Sequence, residues 1–259
     1  MATEHNYIPV ANEVEIFRGA HNQKLPLLLK GPTGCGKTRF VEHMAKQLGL
    51  PLVSVACHED LSAADLVGRF LLKGGDTVWV DGPLTKALKQ GAICYLDEVV
   101  EARADTTVVI HPLADHRREL YIERLDETIK APPSFMLVLS YNPGYQSVLK
   151  DLKPSTRQRM VSLELHYPEA ELEQQILVQE TAISLASARD LVKLANAIRN
   201  LDTASIAEVA STRTLISAAK LMQGGLDVKT AVSAAMITPL SDDIETTRSL
   251  RELADAYLG

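Results

Sequence analysis

Over the first two-thirds of this 259-residue chain, short apolar runs alternate with helical patterns; beyond that, helical patterns stand alone. Five of the runs read as strands: Leu25–Gly31 (LPLLLKG), Leu52–Cys57 (LVSVAC), Ala92–Glu98 (AICYLDE), Phe135–Asn142 (FMLVLSYN) and Val161–Leu165 (VSLEL). Between the first two lies KTRFVEHMAKQLG. There Phe40, Val41, Met44, Ala45 and Leu48 share one helical face, and Gly49 with Pro51 stops the helix. Apolar strands separated by helices predict a parallel sheet covered on both faces. Gly74-Gly75, between extended flanks, reads as a hairpin turn.

After LHYPEAELEQQ the texture changes. Pro168 suits a first helical position, and Glu169 and Glu171 suit the positive end of the helix dipole. Helices are expected over Pro168–Thr181, Ser187–Arg199, Thr212–Gln223, Val228–Met236 and Asp243–Leu258, with Gly224-Gly225 and Pro239 breaking the later ones. The expectation is an α/β core over residues 1–166 and a smaller all-helical piece over 167–259.

Composition narrows the class. At 46% hydrophobic and 23% charged the chain is globular, and a net charge of −6 leaves no basic surplus for nucleic acid. The opening residues carry acids and no apolar core, so no signal peptide is read. No apolar run approaches the roughly 20 residues that span a bilayer. Cys35, Cys57 and Cys94 have no metal-ligand spacing and read as reduced thiols of a cytoplasmic protein.

The chemistry begins at GPTGCGKT, Gly31–Thr38, which fits G-x-x-x-x-G-K-[ST] in full. A chain of this length meets that pattern by chance on the order of once in a hundred. Here it also follows an apolar strand and opens an amphipathic helix, the setting a phosphate loop requires. Gly31, Gly34 and Gly36 let the backbone curl so that N–H groups face a β-phosphate, and Pro32, Thr33, Cys35 and Arg39 complete the segment around it. Lys37 reaches the β- and γ-phosphates, and Thr38 offers its hydroxyl to Mg²⁺. AICYLDE then carries Asp97 to the C-terminal edge of the sheet, where it can hold Mg²⁺, and Glu98 can orient and deprotonate a water. Asn142, at the end of a third strand, is a neutral group able to bond the water or the γ-phosphate. Two arginines of LKPSTRQRM, Arg157 and Arg159, lie far along the chain yet suit a γ-phosphate. In a ring they would face a neighbour's nucleotide, and the chemistry alone does not choose between them. Arg213, in STRTL, opens a helix of the second piece and could report the nucleotide's state.

Together these motifs resemble the AAA+ ATPases, and among them the MoxR group. GPTGCGKTRFVEHMA, CYLDEVVEARADTTVVIHPLADHRREL, SYNPGYQSVLKDLKPSTRQRM and ASTRTLISAAKLM resemble the CbbQ/NirQ/NorQ family over nearly the whole chain, nearest to its CbbQ-type members. The resemblance implies a P-loop core and a helical lid that hydrolyse ATP with Mg²⁺. Asn142 becomes a sensor, Arg159 the finger acting in trans, Arg157 its accessory and Arg213 a second sensor. It also implies an insert at about residues 66–84, a hairpin at about 117–133 before the sensor strand, and a homo-hexamer with these elements facing the pore, where Trp79 either touches a client or packs the hairpin. CbbQ-type members work with a von Willebrand A partner, CbbO-like, to free inhibited rubisco of tight-binding sugar phosphates. NorQ and NirQ members assist maturation of nitric oxide reductase. A non-hydrolysing assembly switch is a third reading, and Glu98 argues against it. His111 and His116 share no helical face and read as surface or interface residues. No metal site is read in CHED, Cys57–Asp60.

Overall fold

Nine strands form among the residues described in this computed structural model, which are 7–143, 152–201 and 209–258. They are β1 Leu27–Lys30, β2 Leu52–Ala56, β3 Gly68–Lys73, β4 Asp76–Asp81, β5 Ile93–Asp97, β6 Glu119–Ile122, β7 Glu127–Lys130, β8 Met136–Tyr141 and β9 Val161–Glu164. Five of them pair in parallel in the order β2-β5-β8-β1-β9. The central strands bury both faces, as their unbroken apolar runs demand. Leu27, Leu28, Leu29, Ile93, Leu96, Val138 and Leu139 are fully buried, while the edge strands β2 and β9 are only partly so.

The helices Glu13–Asn22, Lys37–Leu48 and Pro83–Gln90 cover the sheet with Phe17, Phe40, Met44, Leu84 and Leu88, all inaccessible to water. Phe17 meets Phe40 edge to face at 5.6 Å. Each such side chain contributes about 1.5–3 kcal/mol by leaving water. Leu48, expected on the buried face of its helix, is only half-buried. Two antiparallel hairpins form, β3–β4 and β6–β7, within the segments where an insert and a second hairpin are expected. Gly74 and Gly75 make the first turn, both at positive φ (65° and 95°), where a residue with a Cβ is strained. Trp79 lies opposite Phe70, their rings edge to face at 5.2 Å, and its indole N–H donates to Asp81 at 2.8 Å. Phe70, Leu71 and Leu72 on β3 are exposed, Leu72 at 81%.

Contacts divide the chain into two units. One holds Ala11–Pro32 and Lys37–Leu165; the other centres on His166 onward and takes in Thr33–Gly36. The second is helical: Ala170–Thr181, Leu185–Arg199, Thr212–Gln223, Val228–Val232 and Ile244–Leu258. Leu191, Leu194, Ile198, Leu215, Met236 and Leu250 form its core. Two details differ from the periodicity. Glu169 takes the N-cap position of the first of these helices without a side-chain bond to it, so Pro168 lies just before the helix and not at its first position. The expected helix over Val228–Met236 is α-helical only to Val232 and continues as a π-helical turn over Ser233–Ile237, then a tight turn around Pro239. Proline lacks the N–H that a regular ladder needs, so the backbone re-pairs ahead of it. Among the described residues no helix is long and apolar enough to cross a membrane.

Candidate functional site

The strand order brings three distant segments to one sheet edge. β5 and β8 are neighbours with Leu96 opposite Leu139, and β8 pairs with β1 through Tyr141 and Lys30. Asp97, Glu98, Ser140, Asn142 and the start of the phosphate loop at Gly31 therefore emerge side by side at the C-terminal ends of the strands, where α/β folds bind ligands.

Lys37 is nearly buried at the first turn of its helix. Its ammonium donates to the carbonyls of Gly31 (2.8 Å) and Pro32 (3.0 Å) and to Asn142 Oδ1. Asn142 passes the contact on: its Nδ2 donates to Glu98 Oε1 at 3.2 Å. A cation at one end and a carboxylate at the other determine which end of the amide is oxygen. An aspartate there would set a second negative charge against Glu98. Thr38 Oγ1 donates to Asp97 Oδ2 at 3.2 Å, placing a hydroxyl and a carboxylate oxygen together, the donor type that hard divalent cations prefer. These two residues fit Mg²⁺.

Two further residues join this network that the strand pattern does not single out. Tyr95 donates to Asp97 Oδ1 at 2.7 Å, and Ser140 donates to the same oxygen. The Ser140 oxygen also accepts the backbone N–H of Glu98 at 3.1 Å. That bond matters because Glu98 is a non-glycine residue in the left-handed region, φ 55° and ψ 47°, a conformation costing about 1–2 kcal/mol. The carbonyls on either side are also held: that of Asp97 accepts from Cys57 N, and that of Glu98 from Glu101 N, both at 2.9 Å. Burial, and then the Asp97 charge, hold the Tyr95 hydroxyl above its ordinary range, so it remains a neutral donor. Burial first, then Asp97 and Glu98, push the Cys57 thiol up to about 12, and it stays protonated at neutral pH. A signal for Tyr95 and Ser140 did exist in the sequence: each is a hydroxyl in an otherwise apolar strand, two residues before Asp97 or Asn142 and so on the same face.

Arg39 is half-buried in the first turn of the Lys37 helix. The turn Pro154–Arg157 leaves Arg157 half-buried and Arg159 exposed, its guanidinium donating to Ser155 O. The structure thus separates two arginines that chemistry alone leaves equivalent. The Asn-Pro-Gly motif runs past Pro143 and out of the described residues.

In the helical unit, Gly34 has φ 72°, and a Cβ there would lie 2.6 Å from the Ser211 side chain and 3.2 Å from Arg213 Cβ. Cys35 is buried. The Tyr167 hydroxyl donates to the Thr33 carbonyl at 2.9 Å, and the Arg199 guanidinium stacks 4.2 Å above the Tyr167 ring. Arg199 forks onto the fully buried Glu173 with two bonds of 2.8 Å, and Thr212 donates to Glu173 at 2.6 Å. A buried carboxylate is tolerated only when paired and hydrogen-bonded in this way. It anchors the helix start at Thr212, whose next residue is the exposed Arg213.

A glycine-rich loop with a lysine, an oxygen pair suited to a divalent cation, and a second carboxylate beside them are the groups that polyphosphate hydrolysis calls for. Comparison with known proteins agrees. The sequence pattern of the AAA domain (dynein-related subfamily) matches residues 26–160, and that of the CbbQ/NirQ/NorQ C-terminal region matches residues 173–257. Protein NorQ of Paracoccus denitrificans is 58% identical over 98% of this chain and 94% of its own length. The denitrification regulatory protein NirQ of Pseudomonas aeruginosa is 58% identical over 97% of each chain. Protein CbbQ of Hydrogenophilus thermoluteolus is 51% identical over 97% of this chain and 94% of its own. Among solved structures, a putative ATPase from Cytophaga hutchinsonii aligns with a TM-score of 0.54 at 18% identity, covering 96% of this chain and 89% of that one. The RuvB branch migration motor of Thermotoga maritima aligns at 0.56 and 16%, covering 94% and 68%. At such identities these two share the fold alone.

Proposed function

Because the chain belongs to the CbbQ/NirQ/NorQ family of AAA ATPases, we propose that it couples ATP hydrolysis to the remodelling of another protein. The observation that carries this is the single line of contacts Lys37–Asn142–Glu98, beside the Thr38–Asp97 pair. Lys37 and the loop N–H groups hold the β- and γ-phosphates of ATP. Mg²⁺, held by Thr38 and Asp97, supplies charge neutralisation on the transferring phosphoryl group. Glu98 keeps Oε2 for a water and takes its proton as the water attacks the γ-phosphorus; ADP leaves as the P–O bond breaks. Asn142 orients that water without adding charge. Tyr95 and Ser140 occupy Asp97 Oδ1, leaving Oδ2 toward the metal. Ser140→Ala should therefore release the Glu98 backbone and slow phosphate release about tenfold at unchanged ATP affinity. Steady-state kinetics with an ATP titration checks this, and parent rates would remove Ser140 from the machinery.

The unit from His166 acts as a lid with Arg213 as its sensor, and residues up to Leu165 as the nucleotide-binding core. The protein works as a homo-hexamer with Arg159 as the finger, since Arg159 is exposed where Arg157 is half-buried. Exposed Phe70, Leu71 and Leu72 on the β3–β4 hairpin are suited to meet an unfolding client; Trp79 packs that hairpin.

The resemblance to CbbQ-type members points to rubisco as client, with a CbbO-like von Willebrand A partner. The relatives named NorQ and NirQ stand at 58% identity and the CbbQ relative at 51%, which favours a denitrification client, nitric oxide reductase, with rubisco as the second reading. The test is paired. Reductase activity is measured in a denitrifying host lacking its own family member and complemented with this chain or its Glu98→Gln variant. Carbon fixation by sugar-phosphate-inhibited rubisco is measured with this chain, a von Willebrand A partner and ATP. Restored reductase activity that fails with Glu98→Gln supports the first reading. Recovery of rubisco alone overturns it in favour of the second. ATP binding without phosphate release would leave a non-hydrolysing switch.

A further inference from the structure

The turn bearing Arg157 and Arg159 rests on a histidine that takes no part in the site described above. Thr156, at the centre of the Pro154–Arg157 turn, is buried (1% exposed), and its hydroxyl lies 2.8 Å from His111 Nε2. The Thr156 N–H donates to Lys153 O at 2.9 Å, and its carbonyl accepts from Arg159 N at 3.2 Å. Whatever holds Thr156 therefore holds the point from which Arg159 departs. Leu152 and Met160, on either side of the turn, belong to the same apolar cluster as Ile110 and Leu113, on either side of His111. The turn thus shares its packing with the segment around His111, and the His111–Thr156 contact adds a polar tie between them.

His111 connects back to the hydrolytic site along the chain. It opens the turn His111–Leu113 at the end of the helix Ala104–Ile110. That helix follows the turn Val99–Glu101, which begins directly after Glu98. The helix is itself tied down by Thr106, whose hydroxyl donates to Leu61 O at 3.1 Å. Burial, then the positive charges of Arg159 and Lys153, lower the pKa of His111 against a smaller opposing effect of Asp115. A neutral imidazole lets Arg159 approach without repulsion and still bonds the Thr156 hydroxyl.

We propose that His111 and Thr156 form a latch that positions the arginine turn for a neighbouring subunit's nucleotide and ties it to the subunit's own Glu98 segment. The proposal rests on the reading of Arg159 as a finger acting in trans. His111 and Thr156 are positioning residues; neither reaches a reacting atom. A finger displaced by about 1 Å loses on the order of 10²-fold in rate. The loss belongs to kcat, because the finger meets charge that develops only in the transition state.

The experiment compares His111→Ala and Thr156→Val with His111→Gln and Thr156→Ser in the full chain, each checked for folding by thermal denaturation. Thr156→Val keeps shape and volume and removes only the hydroxyl, so it stands even where His111→Ala folds poorly. The first two variants are expected to lose about 10- to 10²-fold in kcat with KM for ATP within about twofold, and the second two to recover most of it. Mixing His111→Ala subunits with Lys37→Ala subunits is expected to restore turnover, because the Lys37→Ala subunits offer an intact finger to the other's intact phosphate loop. Parent kcat in both loss variants overturns the latch. So does a loss that mixing does not rescue, or one carried by KM, since either places the damage in the subunit's own site. Arg159→Ala measured alongside separates the two levels. If it is fully active the finger reading itself fails; if it is inactive while His111→Ala is not, only the latch fails.

Discussion

Glu98→Gln is expected to bind ATP within about twofold of the parent chain and to release phosphate about 10²- to 10⁴-fold more slowly. Glutamine keeps an oxygen that can accept from Asn142 Nδ2, which now donates to Glu98 Oε1 at 3.2 Å, but it cannot take a proton from water. Its backbone N–H still reaches Ser140, so the left-handed conformation is retained. Lys37→Ala should fail differently. Lys37 meets phosphate charge already present in the ground state, so its loss removes affinity itself. Its contacts to Gly31, Pro32 and Asn142 go with it. A fluorescent nucleotide titration and single-turnover phosphate release on the two variants separate these outcomes. Turnover at the parent rate in Glu98→Gln would remove Glu98 as the general base. Lost binding in that variant would show a residue whose task is to hold the backbone.

Arg159→Ala is expected to slow hydrolysis about 10³- to 10⁵-fold, the range of an arginine supplied from a neighbour. Arg157→Ala should cost far less. Arg159 is exposed beyond the turn, its guanidinium donating to its own chain's Ser155 carbonyl, whereas Arg157 is half-buried within it. Activity should rise steeply with protein concentration as rings assemble. Mixing Arg159→Ala with Lys37→Ala subunits should recover part of it, at interfaces pairing an intact loop with an intact finger. Sedimentation velocity beside the ATPase assay provides the check. Full activity in a monomer, or no recovery on mixing, would sink action in trans.

The candidate site residues were largely legible because each belongs to a local pattern. Gly31 to Thr38 is one contiguous loop, and Asp97, Glu98 and Asn142 end apolar runs whose length marks them as strands. The same locality explains what was missed. Ser140 has no neighbour in sequence to suggest that it bonds Asp97 and Glu98; the contact exists because β8 lies beside β5 with Leu139 opposite Leu96. His111 reads as a surface or interface residue because it shares no helical face with His116; the fold leaves it half-buried, against the turn at Thr156. The helical unit shows the same division. Nothing in their local sequence marks Glu173 and Arg199, yet they pair in its interior, 26 residues apart.

What this sequence determined by itself is the set of elements and the chemistry at their ends. Apolar period, glycine and proline punctuation, and a phosphate-loop spacing are properties of neighbouring residues, and they survive without knowledge of the fold. The tertiary structure decided the strand order β2-β5-β8-β1-β9 and with it the companions of each functional group. It also decided the strained backbone of Glu98, the exposure of Arg159 over Arg157, and the seat of the arginine turn beside His111. The physical reason is range. A helix or strand is selected by contacts within a few residues, whereas strand order and buried polar pairing are selected by the packing of a whole core, and two hydroxyls in apolar strands become part of a site only when that core brings them to the same carboxylate.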